Sequence, residues 1–228
     1  SRSTVAGEAL LSWQHPRLGR IAASQFVHVA CETGLIVPIG DQLLHRACHL
    51  ATSIANIEEG WRIHVNISRL QLLLPSLIEA LDGTLCESGL EPGNLVLEVA
   101  ESSVKDEPEK VAERLRELKE RGIKLCLDNF GSGASPLVLL RKLPLDYLKL
   151  DRSLVHAVES ADSCVLLEAL STIARSYGIS VIAEGIENEK QLNKLRDLGC
   201  HYGQGYVFQR PVQASEFRIE PTEEVVAG

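Results

Sequence analysis

The sequence predicts an α/β protein of repeated strand–helix units whose parallel strands carry chemistry at their C-terminal ends. Three observations lead there. From Trp61 onward, short aliphatic runs alternate with amphipathic helical stretches. Gly, Pro, Asp or Asn punctuates the joins, as βαβ units require. Acidic side chains recur where the aliphatic runs end. Such units close into a parallel barrel or lie in an open doubly wound sheet, and both place ligands outside the carboxyl ends of the strands.

In chain order, the first 60 residues depart from the repeat: a short strand around residues 9–13, then helical patterns near 24–33 and 38–56. Strands are expected over 61–67, 95–100, 123–128, 145–150 and 179–184, because these runs are short and rich in β-branched or aliphatic residues. Helices are expected over 70–88, 106–121, 135–143, 162–177 and 188–198, where apolar residues return at helical spacing. Within 123–128, period-two alternation puts Lys124, Cys126 and Asp128 on one face and Leu125 and Leu127 on the other. The segment after Phe217 is polar and reads as frayed. With no internal repeat or linker, residues 1–228 are expected to form one domain. The chain contains no methionine, not even an initiator, so a fragment of a longer multidomain protein is expected.

Composition narrows the function. With 228 residues, 45% hydrophobic and 24% charged, the chain can bury one large core, and α/β barrels commonly reach this size as one domain. No apolar run approaches the length of a membrane span, and no signal peptide is present. A net charge of −8 without a long basic run argues against DNA or RNA as a non-specific partner. An anionic substrate must therefore be held by bound metal and a few cationic groups. The six cysteines are scattered without a CxxC pair, as expected of reduced thiols in a cytosolic protein.

The acids are Glu8 in GEALL, Glu98 and Glu101 in LVLEVAES, Asp128 in IKLCLDNFG, Asp151 in DYLKLD, and Glu184 and Glu187 in VIAEGIEN. Lys149 joins them in DYLKLD, and Asn66 closes WRIHVNIS in the same way. Burial disfavours a charged carboxylate unless it has a partner. Seven carboxylates repel one another, so a site that gathers them must also hold cations. Hard ions of the magnesium or manganese type take such oxygen ligands. A pair of them can clamp an attacking water and a scissile phosphate, with Lys149 stabilising charge or orienting the water. One strand-end glutamate alone is more often a helix N-cap or an ion-pair partner; the pattern over five strands points instead to a site.

The ordered motifs EALL, VNIS, LEVAES, DNFGSG, LKLDRS, AEGIEN and GCHYGQGY resemble the EAL family of bacterial cyclic di-GMP phosphodiesterases, from about Gly7 to Phe217. The resemblance implies a modified TIM-type (β/α)8 barrel, mostly parallel. It would cleave one phosphodiester bond of cyclic di-GMP to linear pGpG with two Mg²⁺ or Mn²⁺ ions. It implies Glu8, Asn66, Glu98, Asp128, Glu184 and position 129 as metal ligands, and Lys149 and Asp151 beside the hydrolytic water. Glu101 would hold the loop after DNFG, and Glu187 would act as a supporting carboxylate. Gln204 would wall the site, lining the substrate with Glu8, Leu10 and Ser12. It further implies a homodimer, flanking sensor or GGDEF-type domains, and a cytoplasmic location. No GGDEF-type loop is present, so synthesis of the dinucleotide is not expected.

The chain departs from the family at several places. Asn129 stands where the family has a second aspartate, so the second ion should bind more weakly. The readings are a slowed hydrolase or a receptor that binds without cutting. Ser12 replaces an arginine that contacts a substrate phosphate in the family, and losing such a charge-assisted bond costs roughly 1.5–3 kcal/mol. Ala134 and Pro136 alter the loop after the glycines, and only six residues precede Gly7, so the family's first strand is expected to be missing or disordered.

Other features are set aside. His45 and His49 have zinc-binding i, i+4 spacing, but with no third ligand apparent they read as a solvated helix face. His64 either lines the barrel or is a satisfied core histidine. The glycines at 131–133 read as a flexible loop rather than a phosphate cradle, and the EPEKVAERLRELKER run as a solvated helix face.

Overall fold

The computed structural model describes residues 3–55, 60–131 and 137–217. Its elements in chain order begin with β1 (Ala6–Ala9), β2 (Ser12–His15), β3 (Gly19–Ala22), α1 (Ala23–Glu32) and α2 (Ile36–Ala55). The repeat then starts with β4 (Arg62–Ile67), α3 (Arg69–Leu72), α4 (Leu77–Ser88), β5 (Leu95–Ala100), α5 (Glu101–Lys105) and α6 (Pro108–Glu120). It continues with β6 (Lys124–Phe130), α7 (Val138–Lys142), β7 (Tyr147–Leu150), α8 (Arg152–His156) and α9 (Ala161–Ser176). It closes with β8 (Ser180–Glu184), α10 (Glu189–Asp197) and β9 (Tyr202–Gln204).

Seven strands form one sheet in the order β1-β4-β5-β6-β7-β8-β9, and each neighbouring pair is parallel. The sheet curls into most of a TIM-type barrel, with β1 and β9 at its two ends. Alternation sorts the side chains as the sequence implies. Val96, Cys126, Tyr147 and Ile182 pack together inside the barrel, while Leu97, Leu125, Leu127, Leu148 and Val181 join the sheet–helix core outside. Lys124 turns from the acids to Asp146, 3.1 Å away.

The strands lie within two residues of their expected limits. The helix expected over 70–88 is instead two helices, because Pro75 cannot continue α3. Ser68 and Gln71 cap α3 reciprocally, and Gly89, with φ 69°, ends α4.

The expected strand over residues 9–13 is also two strands. β1 stays in the barrel, and β2 pairs with β3 in an antiparallel hairpin above the rim. His15 shapes that turn: its Nδ1 accepts from the amides of Arg17 and Leu18 at 3.1 and 3.2 Å. Strand β9 and helices α5 and α8 were not expected. The loop changes at Ala134 and Pro136, most of the 131–133 glycine loop and the segment after Phe217 lie outside the described residues. No described helix is long and apolar enough to cross a membrane.

Candidate metal and phosphodiester site at the strand ends

Parallel pairing brings the C-terminal ends of the strands to one rim. The register aligns Glu8 with His64, Asn66 with Glu98, Glu98 with Cys126, Ala100 with Asp128, and Glu184 with Gln204. Five strands thereby deliver the expected ligands to one side of the sheet, and a sixth, β7, delivers Lys149.

Lys149 is 2% exposed and holds the cluster together. Its Nζ donates to Glu8 Oε2 at 2.8 Å and to Glu98 Oε1 and Oε2 at 3.1 and 2.9 Å. His64 Nδ1 lies 2.7 Å from Glu98 Oε1, so the tautomer with a proton on Nδ1 donates to it. Burial opposes the charge on Glu98, but the Lys149 ammonium and His64 overcome it and hold the carboxyl down at about 2. Burial likewise opposes the charge on Lys149. Glu98, Glu8, Asp128 and Glu184 outweigh that penalty and hold the ammonium well above its ordinary range.

Glu8 is held by three donors: Asn66 Nδ2 at 2.6 Å, Lys149 Nζ at 2.8 Å and Gln204 Nε2 at 2.7 Å. The last bond joins the two ends of the sheet, β1 and β9. Asp128 is different. Asn129 Nδ2 donates to its Oδ2 at 2.6 Å, but its buried Oδ1 has no hydrogen-bond partner among the described residues. Burial first, then Glu98 and Glu184, push its carboxyl up to about 7 against the pull of Lys149. Burial, with Glu8, Glu98 and Asp151 nearby, also raises Glu184 against Lys149. The orphaned oxygen leaves room for one more partner. Oxygen-only donors at that point suit a hard divalent ion.

Asn129 sits in the left-handed region at φ 57°, where the register of β6 against β7 shifts between Leu127 and Phe130. Asn and Asp both tolerate that conformation, so the position keeps its backbone whichever of them occupies it.

The other expected residues are placed as follows. Glu101 starts α5, is 1% exposed, and reaches the Gly131 amide at 3.3 Å and Lys105 at 3.0 Å. The loop beyond Gly131, which Glu101 was expected to hold, lies outside the described residues. Asp151 caps α8, its Oδ1 accepting from the Ser153 amide at 2.8 Å. Glu187 points to Arg152, whose Nη2 donates to it at 2.7 Å. For Asp151 and Glu187 the cap and ion-pair roles set aside earlier are therefore the contacts seen. Leu10 and Ser12 are exposed on the wall of a cleft of about 2220 Å³ that also borders Glu8, Glu184 and Gln204. The cleft is large because it continues down between β1 and β9, past Trp61 and Phe217.

Two residues matter more than the sequence indicated. His64, two residues before Asn66 on the same face, orients Glu98, and that spacing was the available signal. Arg20 on β3 pairs in register with Gln14 and so shares the face of Ser12. It borders the same cleft and has no hydrogen-bond or ion-pair partner among the described residues. Nothing in its local sequence marks it. His64, Glu98 and Cys126 also form a tight buried trio with metal-ligand atoms within 4.8 Å of one another.

Fold and site together define a parallel β/α barrel with clustered acids and one buried lysine at its strand ends. The EAL domain family matches residues 1–211, and the chain belongs to that family. It is 35% identical over 214 residues to MucR of Pseudomonas aeruginosa, a bifunctional diguanylate cyclase and cyclic di-GMP phosphodiesterase, covering 93% of this chain and 31% of MucR. It is 35% identical over 207 residues to the cyclic di-GMP phosphodiesterase NbdA of the same organism, covering 90% of this chain and 26% of NbdA. The chain thus spans about a third or less of these curated relatives. A solved MucR phosphodiesterase complex with c-di-GMP superposes with TM-score 0.87 at 35% identity, covering 92% of this chain and 86% of that one. The calcium and cyclic di-GMP complex of Klebsiella pneumoniae BlrP1 gives 0.80 at 26% identity, covering 92% and 52%.

Proposed function

We propose that this chain hydrolyses one phosphodiester bond of cyclic di-GMP to linear pGpG, assisted by two divalent ions of which the second is weakly held. The observation that carries this reading is the unpartnered Asp128 Oδ1, buried among Glu98, Glu184 and Lys149. Membership of the EAL family and relatives named as cyclic di-GMP phosphodiesterases support the substrate.

Glu8, Asn66, Glu98, Asp128 and Glu184 would hold magnesium or manganese, with Asn129 a poorer ligand to the second ion. Such an ion, when bound, polarises a phosphate oxygen and makes water nucleophilic at neutral pH. Lys149 keeps a full charge at the barrel floor, ready to meet negative charge that develops on the phosphate. Asp151 Oδ1 is fixed by its cap, which leaves Oδ2 to accept from the attacking water. Arg20 offers the guanidinium that Ser12 lacks, so Arg20→Ala should weaken dinucleotide binding about tenfold, the loss of one charge-assisted bond. Pairing with a second copy of the chain, and work beside flanking sensor or cyclase-type domains, are extensions of the same proposal.

One observation favours a receptor that binds without cutting: Asn129 turns its amide hydrogens to Asp128, where an aspartate would add a ligand. Incubation with cyclic di-GMP and Mn²⁺, followed by separation of nucleotides, decides between them. Appearance of pGpG supports hydrolysis; tight binding without product replaces it with the receptor.

A further inference from the structure

A second metal-ligand geometry lies on the outer helical layer, away from the strand ends. On α2, His45 and His49 stand one turn apart, their Nε2 atoms 3.2 Å from each other. Across the groove, Glu87 on α4 brings Oε2 to 3.5 Å from His45 Nε2. This is the third ligand that the sequence did not reveal, because it comes from the neighbouring helix, 38 residues further along the chain.

The two spacings have a physical meaning. Ligands about 2.0–2.1 Å from a tetrahedral zinc ion stand roughly 3.3–3.4 Å apart, so the two distances at His45 are near that length and Glu87 has to turn toward His49 to close the third. Two imidazoles can share one hydrogen bond at most, whereas one ion satisfies both Nε2 atoms if each ring keeps its proton on Nδ1. All three side chains are exposed, so Glu87 can swing onto the ion without disturbing the core. There is room as well: Gly83 forms the groove between Glu79 and Glu87, and a Cβ there would meet nothing within 4 Å. Asp41 and Glu79 add negative charge to the same groove, against the one cation Arg46.

We propose that His45, His49 and Glu87 form a surface site for a borderline-soft divalent cation, of which zinc is the type. Imidazole selects zinc, copper, nickel or cobalt over magnesium and manganese, so this site and the oxygen site at the strand ends divide cations by softness. Arg46 follows the first histidine where a zinc peptidase carries its glutamate base, so the site is a clip between α2 and α4 and not a hydrolytic centre. Bound to the folded state alone, the ion would stabilise the protein by mass action.

The test uses the full chain without an oligohistidine tag, in excess magnesium. A Cys126→Ser background removes the thiol of the buried His64, Glu98 and Cys126 trio. Zinc titration against a chromophoric competitor, repeated with cobalt absorbance, should show a saturable site distinct from any at the strand ends and a higher melting temperature. His49→Ala and Glu87→Gln, both at exposed positions, should each weaken that site about tenfold or more. Zinc affinity and melting shift unchanged in both variants, or no saturable site at all, would overturn the assignment.

Discussion

At Lys149, four acids gather about one buried ammonium, two of them, Glu98 and Asp128, buried with it. Breaking a buried ion pair from one side leaves the other charge stranded, at a cost of about 3–5 kcal/mol. Metal-free Lys149→Met should therefore unfold at a clearly lower urea concentration, and an unchanged midpoint would show that the acids are neutralised otherwise. Asp128 supplies a pH dependence. Its folded pKa of about 7 lies above its unfolded value, so the folded state keeps a proton that the unfolded chain has lost. The stability this proton provides is complete at acid pH and declines as pH rises through 7. A divalent ion needs the ionised form, so the melting shift on adding Mn²⁺ should be larger near pH 8 than near pH 5.5. Equal shifts would count against Asp128 as a ligand. Asn129→Asp should raise turnover several-fold by restoring a carboxylate to the second ion; equal or lower turnover would refute that account.

Elements show why some of this was legible in the sequence and some was not. Strands β4 to β8 were readable because each is a short aliphatic run with one face toward the helices, and the residues that close them announced the site. The β2–β3 hairpin was not readable: its turn depends on the His15 ring accepting two amides, with no Asn-Gly or Asp-Gly signal. Asp151 caps α8 and Glu187 pairs with Arg152, contacts that depend on a helix and a neighbour the local sequence does not show. Strand β9, three residues long, has no run to detect; its place is fixed by Gly205. That residue has φ 155°, and a Cβ there would lie 2.1 Å from Ile186 O. Gly205→Ala should thus lower stability by about 2 kcal/mol or more in denaturant titration and disturb Gln204 beside it. A neutral substitution would mean that the end of the barrel adapts freely.

For the whole molecule, burial falls from the middle of the sheet to its ends. β5 and β7 are almost wholly buried, β1 is half-buried, and two of the three residues of β9 are exposed. Amide exchange should follow the same order, fastest in β9 and β1 and slowest in β5 and β7; uniform protection would contradict an open seam. Glu8 stands at that seam, serving at once as a candidate ligand and as the acceptor for Gln204. An ion that claims Oε2 must loosen its hold on β9, so filling the centre and spreading the barrel's slit are thermodynamically linked. By reciprocity, whatever wedges the slit apart must change how tightly the cation is gripped.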